Sequence, residues 1–174
     1  MKNINEMTQE KQLEAIRENP YDLLYVRNQT EELCLEAVKK SGFSLRHVRY
    51  QTPEICLEAV KRNGTALVYV RDQTPEICMA AVKQNGNALI YVHNQTPEIC
   101  LEVVSRQGDL LLYVREQTPE ICLAAVRNDG WALWDVREQS LLICQEAVKQ
   151  NPEAIVFVRD EFVAECENLL GKNP

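Results

Sequence analysis

The sequence predicts an all-α protein, a short-repeat solenoid in which every 22 residues supply one long helix and one short helix or 3-10 turn. Three observations carry the prediction. The phrase QTPEICLEAVKRNG at 51–64 returns, little changed, at 73, 95 and 117. The seven cysteines, Cys34, Cys56, Cys78, Cys100, Cys122, Cys144 and Cys166, fall at one position of the same period. The apolar residues of each phrase cover a wider arc than a lone surface helix can bury. A period between about 20 and 50 residues marks stacked repeats, each too small to bury its own apolar face.

The register runs through the chain. Units start at Met7, Gln29, Gln51, Gln73, Gln95, Gln117 and Gln139, with a partial C-terminal cap over 161–174. The expected organisation is a single repeat domain over 1–174, about seven and a half repeats, with no linker.

Within a unit, Thr52 can cap the long helix with its hydroxyl, Pro53 suits the first helical position, and Glu54 complements the positive end of the dipole. Gly64 is expected to close the helix as a left-handed cap glycine. At about 100° per residue, Ile55, Cys56, Leu57, Ala59 and Val60 span roughly 200°, and Glu54, Glu58, Lys61 and Arg62 fill the rest. Such an arc needs a neighbour on each side. The second piece, TALVYVRD at 65–72, suits under two turns of α-helix or a 3-10 turn equally well. At the two extremes Lys11 and Gln12, then Glu165 and Glu167, replace apolar positions, as the outer faces of terminal repeats require.

The cysteines are read as buried, reduced core thiols. All but Cys166 sit beside an aliphatic residue and one turn before Ala-Val or its equivalent, and buried Cys behaves as a small hydrophobe. Zinc ligands would come in close pairs. Reduced thiols fit a reducing compartment.

The phrase PEICLEAVKxNGxALxYV, present at 53–70 and nearly again at 75–92 and 97–114, resembles tandem repeats of bacterial and giant-virus proteins catalogued only as a domain of unknown function. The resemblance covers about residues 7–170. It implies a helical repeat protein and brings no catalytic residues with it. The alternation of one long and one short helix is also similar to leucine-rich variant repeats, without the iron–sulfur segment some of those carry.

Charge narrows the function classes. A net charge of −7 opposes binding to nucleic-acid phosphates or an anionic membrane surface. No apolar run approaches the roughly 18 residues of a membrane span, and the opening residues lack a signal-peptide core, so a cytoplasmic location is expected. No enzyme activity, cofactor or metal is expected. His47 and His93 read as local substitutions, and the recurring Glu32, Glu54, Glu76, Glu98 and Glu120 are explained by their places at helix N-termini.

Binding is better supported, because the units diverge unevenly. The positions of 65, 68 and 72 vary most and are expected to share one outward face. The middle row reads Leu24, Arg46, Val68, Ile90, Leu112, Trp134 and Val156, apolar in six of seven units although it should face outward. A ridge of that kind beside acidic residues suits a protein-binding groove. The candidate partner site comprises Trp131, Trp134, Glu138, Leu112, Glu116, Ile90, Val68 and Asp72, with a second departure at Phe43, Arg46 and Tyr50. The arginine ladder Arg27, Arg49, Arg71, Arg115, Arg137 and Arg159 is expected to make structural salt bridges with its acidic neighbours. The expected function is a non-catalytic protein-binding scaffold, its partner another protein with basic and apolar surface. The alternative is an acidic inhibitor, of immunity or anti-defence type, that blocks a basic nucleic-acid-binding enzyme.

Overall fold

A computed structural model of the chain describes residues 3–171, and among them there are helices and no strands. The long helices are α1 (Gln9–Glu18), α2 (Glu31–Lys40), α3 (Pro53–Arg62), α4 (Pro75–Gln84), α5 (Pro97–Val104), α6 (Pro119–Asn128), α7 (Leu141–Gln150) and α8 (Asp160–Leu169). A short first turn, η1 (Ile4–Glu6), precedes them. Between them run η2 (Pro20–Tyr25), η3 (Gly42–His47), η4 (Gly64–Tyr69), η5 (Gly86–Tyr91), η6 (Gly108–Tyr113), η7 (Gly130–Asp135) and η8 (Pro152–Phe157). All of the η segments are 3-10 helices, which resolves the choice the sequence left open.

The chain divides into two compact units, Met1–His93 and Asn94–Pro174. In each, long helices stack on long helices and short on short, and α2, α3, α4, α6 and α7 each pack between the short helices on either side in sequence. The core lies between the two layers. Ile55, Cys56, Ala59 and Val60 enter it from α3, and Ala66, Leu67 and Val70 from η4 and its cap. Leu57 is only half-buried, so the fully buried arc is narrower than the apolar one.

Local chemistry explains each boundary. The hydroxyls of Thr30, Thr52, Thr74, Thr96, Thr118 and Ser140 accept from the N–H three residues on, as capping predicts. Extended residues bracket the short segments: Asn63 at φ −144° before η4 and Val70 at ψ 122° after it. Six residues held between such breaks close tight i to i+3 bonds, as between Val70 N–H and the Leu67 carbonyl at 3.0 Å. Residues three apart then eclipse, so Gly64, Leu67 and Val70 form a buried column while Thr65 and Val68 form an outward one.

The glycines work differently from expectation. Gly64 does not adopt a left-handed conformation; among the described residues only Gly171 has positive φ, at 66°. Asn63 is the cap, and Gly64 opens the next helix. What excludes a side chain there is proximity. A Cβ on Gly64 would collide with the Ala81 carbonyl oxygen of the following repeat, and one on Gly130 would stand 2.6 Å from that of Ala147. The Gly130 N–H is in turn bound by the Gln150 side chain at 2.6 Å. These glycines let successive repeats approach.

Two ladders along the loops complete the frame. Gln51 donates through Nε2 to the Tyr69 carbonyl at 2.8 Å, while its Oε1 accepts from the Arg71 N–H at 3.0 Å and from the Cys56 thiol at 3.6 Å. Gln29, Gln73, Gln117 and Gln139 repeat the pattern. Asn5 makes the same bonds for the first repeat, to the Tyr25 carbonyl and the Arg27 N–H, although the period points to Met7. Four arginines of the ladder form no salt bridge of the expected kind among the described residues. Arg49, Arg71, Arg137 and Arg159 donate instead to backbone carbonyls one repeat back, at Arg27, Arg49, Arg115 and Arg137. The guanidinium reaches the carbonyl of the preceding repeat with no carboxylate needed.

The last helix departs from register. The period places its start at Val163, but α8 begins at Asp160, since no Gln-Thr-Pro loop precedes it. Cys166 is nonetheless fully buried.

Candidate functional site: the divergent face of the short helices

The outward column of each short helix is where the repeats differ. In the first compact unit Leu24, Val68 and Ile90 are 41–50% exposed, so neighbouring repeats do not cover the apolar row. Arg46 interrupts it. Its guanidinium lies 5.9 Å from the Tyr21 ring centroid, and Nε–H donates to His47 Nε2 at 2.9 Å. Tyr21 meets His47 edge-on at 6.2 Å. Burial, and secondarily the Arg46 charge, pull the His47 pKa below its usual value. Phe43 stands half-buried in the same eclipsed column as Arg46.

The third variable position does not share this face. Val70 and its equivalents are extended and turn the chain before residue 72 is reached. Tyr50, 84% exposed, lies instead over a loop-side depression lined by Arg27, Asn28, Gln29, Thr30 and Arg49. Glu138 lines another, with Gln117, Pro119, Arg137 and Ser140. Asp72 and Glu116 are exposed at the equivalent loop positions. The expected three-row face therefore splits into a two-row helix face and a loop edge.

In the second unit the helix face carries a defined pocket. Trp131 and Trp134 are three residues apart on a 3-10 helix and stand one above the other. Both meet Phe157 of the next short helix edge-on, with centroids 5.2 and 5.0 Å away. Trp131 is 43% and Trp134 72% exposed. With Leu112 they line a cavity of about 290 Å³ whose remaining wall includes Asp109, Asp129 and Asp135. Asp129 is occupied as a cap, accepting from the Trp131 N–H at 3.0 Å. Asp135 has no side-chain hydrogen bond or ion pair among the described residues; burial first, and the Asp109 charge second, raise its pKa above the ordinary carboxylate value.

Sequence reasoning named both tryptophans but missed Asp135 and Phe157. The signal lay in one column of the repeat. It reads Tyr25, His47, Tyr69, Tyr91, Tyr113, Asp135 and Phe157, so a lone carboxylate replaces a ring beside the two indoles.

The cysteines are buried and free of disulfides, and burial pushes the thiols of Cys34 and Cys144 up to about 11. A raised thiol pKa disfavours the nucleophilic thiolate. Among the described residues no three His, Cys, Asp or Glu side chains converge where they could hold a metal ion. No described helix is long and apolar enough to cross a membrane.

The model of a family described as a domain of unknown function, DUF4116, matches the chain twice, over residues 30–74 and 52–96. The matches overlap and are offset by one 22-residue period. No curated protein and no solved structure matches the chain. Residues 30–96 are thus similar to that family in two tandem, overlapping placements, and each period there holds one long helix and one 3-10 helix.

Proposed function

We propose that this protein is a non-catalytic protein-binding scaffold that acts through the outward column of its short helices. The observation that carries this reading is the exposure of apolar residues at one repeated position, Leu24, Val68 and Ile90 in one unit and Leu112, Trp134 and Val156 in the other. Exposed apolar side chains recurring at a fixed place suit a macromolecular partner better than a small substrate. The acidic net charge and the carboxylates near the indoles suit a partner with basic as well as apolar surface.

Replacing Val68 and Ile90 with glutamate tests the reading, with exposed Glu54 and Glu76 replaced by lysine as the control for a change of surface charge elsewhere. Proteins retained from a lysate by the native chain should be lost with the first variant and kept with the second. Equal retention by both variants would remove the short-helix face from the account. A main partner that is a nuclease or other basic enzyme, inhibited on binding, would move the reading to the acidic inhibitor.

A further inference from the structure

The pocket of the second unit departs from the other repeats in chemistry as well as shape. Three aromatic rings stand against carboxylates, and no Lys or Arg forms an ion pair with Asp109, Asp129 or Asp135 among the described residues. A carboxylate facing a partly apolar cavity without a counter-charge is under strain that a bound cation would relieve. The carboxylates do not converge as metal ligands do. A large, weakly hydrated cation is the better match, because indole faces attract such charges and Trp is the strongest of the aromatic residues in this respect. The rings are open to it: Trp134 is the more exposed of the pair.

We infer that this pocket receives the cationic side chain of an arginine or lysine from a partner protein, the indoles of Trp131 and Trp134 packing on it while Asp109 and Asp135 balance its charge. The inference rests on the protein-binding reading and names the chemistry the partner must present. Arginine is favoured, since its planar guanidinium stacks on rings and is less strongly hydrated than an ammonium.

The protein carries its own reporter, because Trp131 and Trp134 are its two tryptophans. Full-length protein is titrated at low salt with hexa-arginine, with hexa-lysine and with hexa-glutamate, following tryptophan emission. The expected result is a saturable change with the basic peptides, tighter for arginine, and none with the acidic one. Asp109→Asn with Asp135→Asn should weaken binding at least tenfold. Glu54→Gln with Glu76→Gln, which removes two charges elsewhere, should leave it within about twofold, since screened remote charges add little. Trp134→Ala, which keeps Trp131 as reporter, should weaken binding comparably to the aspartate pair. Equal losses from both charge-removing pairs would reduce the effect to general attraction and overturn the pocket, as would the absence of a saturable change. Either failure would leave the scaffold reading to be decided by the Val68 and Ile90 variants.

Discussion

The short helices η4 (GTALVY) and η7 (GWALWD) are the same object with different surfaces. Gly64, Ala66 and Leu67 are buried in the first as Gly130, Ala132 and Leu133 are in the second. At the remaining three positions Thr65, Val68 and Tyr69 give way to Trp131, Trp134 and Asp135. The backbone absorbs two indoles and a carboxylate without altering its 3-10 geometry, because the first two positions form the outward column and the third is only half-buried. Identity is thus held where a side chain, or the lack of one, meets the next repeat. Elsewhere the sequence is free to change, and in η7 the change builds a pocket.

The comparison breaks most readily at the shared positions. Gly64→Ala should cost about 3 kcal/mol, since even a methyl meets a backbone carbonyl that cannot move alone. Gly171→Ala, with positive φ and nothing near its Cβ, should cost only about 1 kcal/mol. Thermal melts of the two variants check the order, and equal losses would mean that conformational freedom, not stacking, sets the requirement.

Next in size is the glutamine ladder. Gln51→Ala strands the Tyr69 carbonyl and the Arg71 N–H, and should lower stability by about 2 kcal/mol in denaturant melts. Ser44 sharpens the comparison from the other side. It occupies the column of Ala66 and Ala132, is fully buried, and its hydroxyl has no hydrogen-bond partner. Ser44→Ala should therefore stabilise the protein by about 1 kcal/mol, and the reverse change, Ala132→Ser, should destabilise it.

The smallest effect is expected at Asp135. Its raised pKa means that the folded state disfavours the charged form, so stability falls as pH rises through that pKa. Asp135→Asn removes the penalty. Its melting temperature should match or slightly exceed that of the native chain at pH 7, and the difference should vanish below the unfolded-state pKa of Asp. A large loss at pH 7 would mean that the carboxylate is structural.

Much of the frame was legible because it repeats. The period, the Thr caps and the buried cysteines follow from a pattern copied in every unit, and copying exposes what burial demands. The roles of the repeated residues were less legible. Gln51 reads as a polar loop residue, and only its return at every unit start from Gln29 to Gln139 hints at a fixed set of bonds. Gly64 reads as a helix stop because most helix-ending glycines are, whereas the carbonyl that excludes its Cβ belongs to a helix seventeen residues on, in the next repeat. In the site, the two tryptophans stood out by type. Asp135 and Phe157 did not, because each matters only through its distance to an indole one repeat away or beside it. The split between the helix face and the loop edge was hidden for a related reason: the extended break at Val70 cannot be read from an apolar valine.

The most direct test of the account sets two adjacent residues of one short helix against each other. Leu133 is fully buried and belongs to the repeated column; Trp134 is 72% exposed and belongs to the divergent one. Thermal and denaturant melts of Leu133→Ala should show a loss of about 3 kcal/mol. Trp134→Ala should lose less than about 1 kcal/mol, with native tryptophan emission red-shifted and readily quenched by acrylamide. A Trp134→Ala variant that melts as early as Leu133→Ala, from a native state whose emission is blue-shifted and resists quenching, would place the indole in the core and contradict the account.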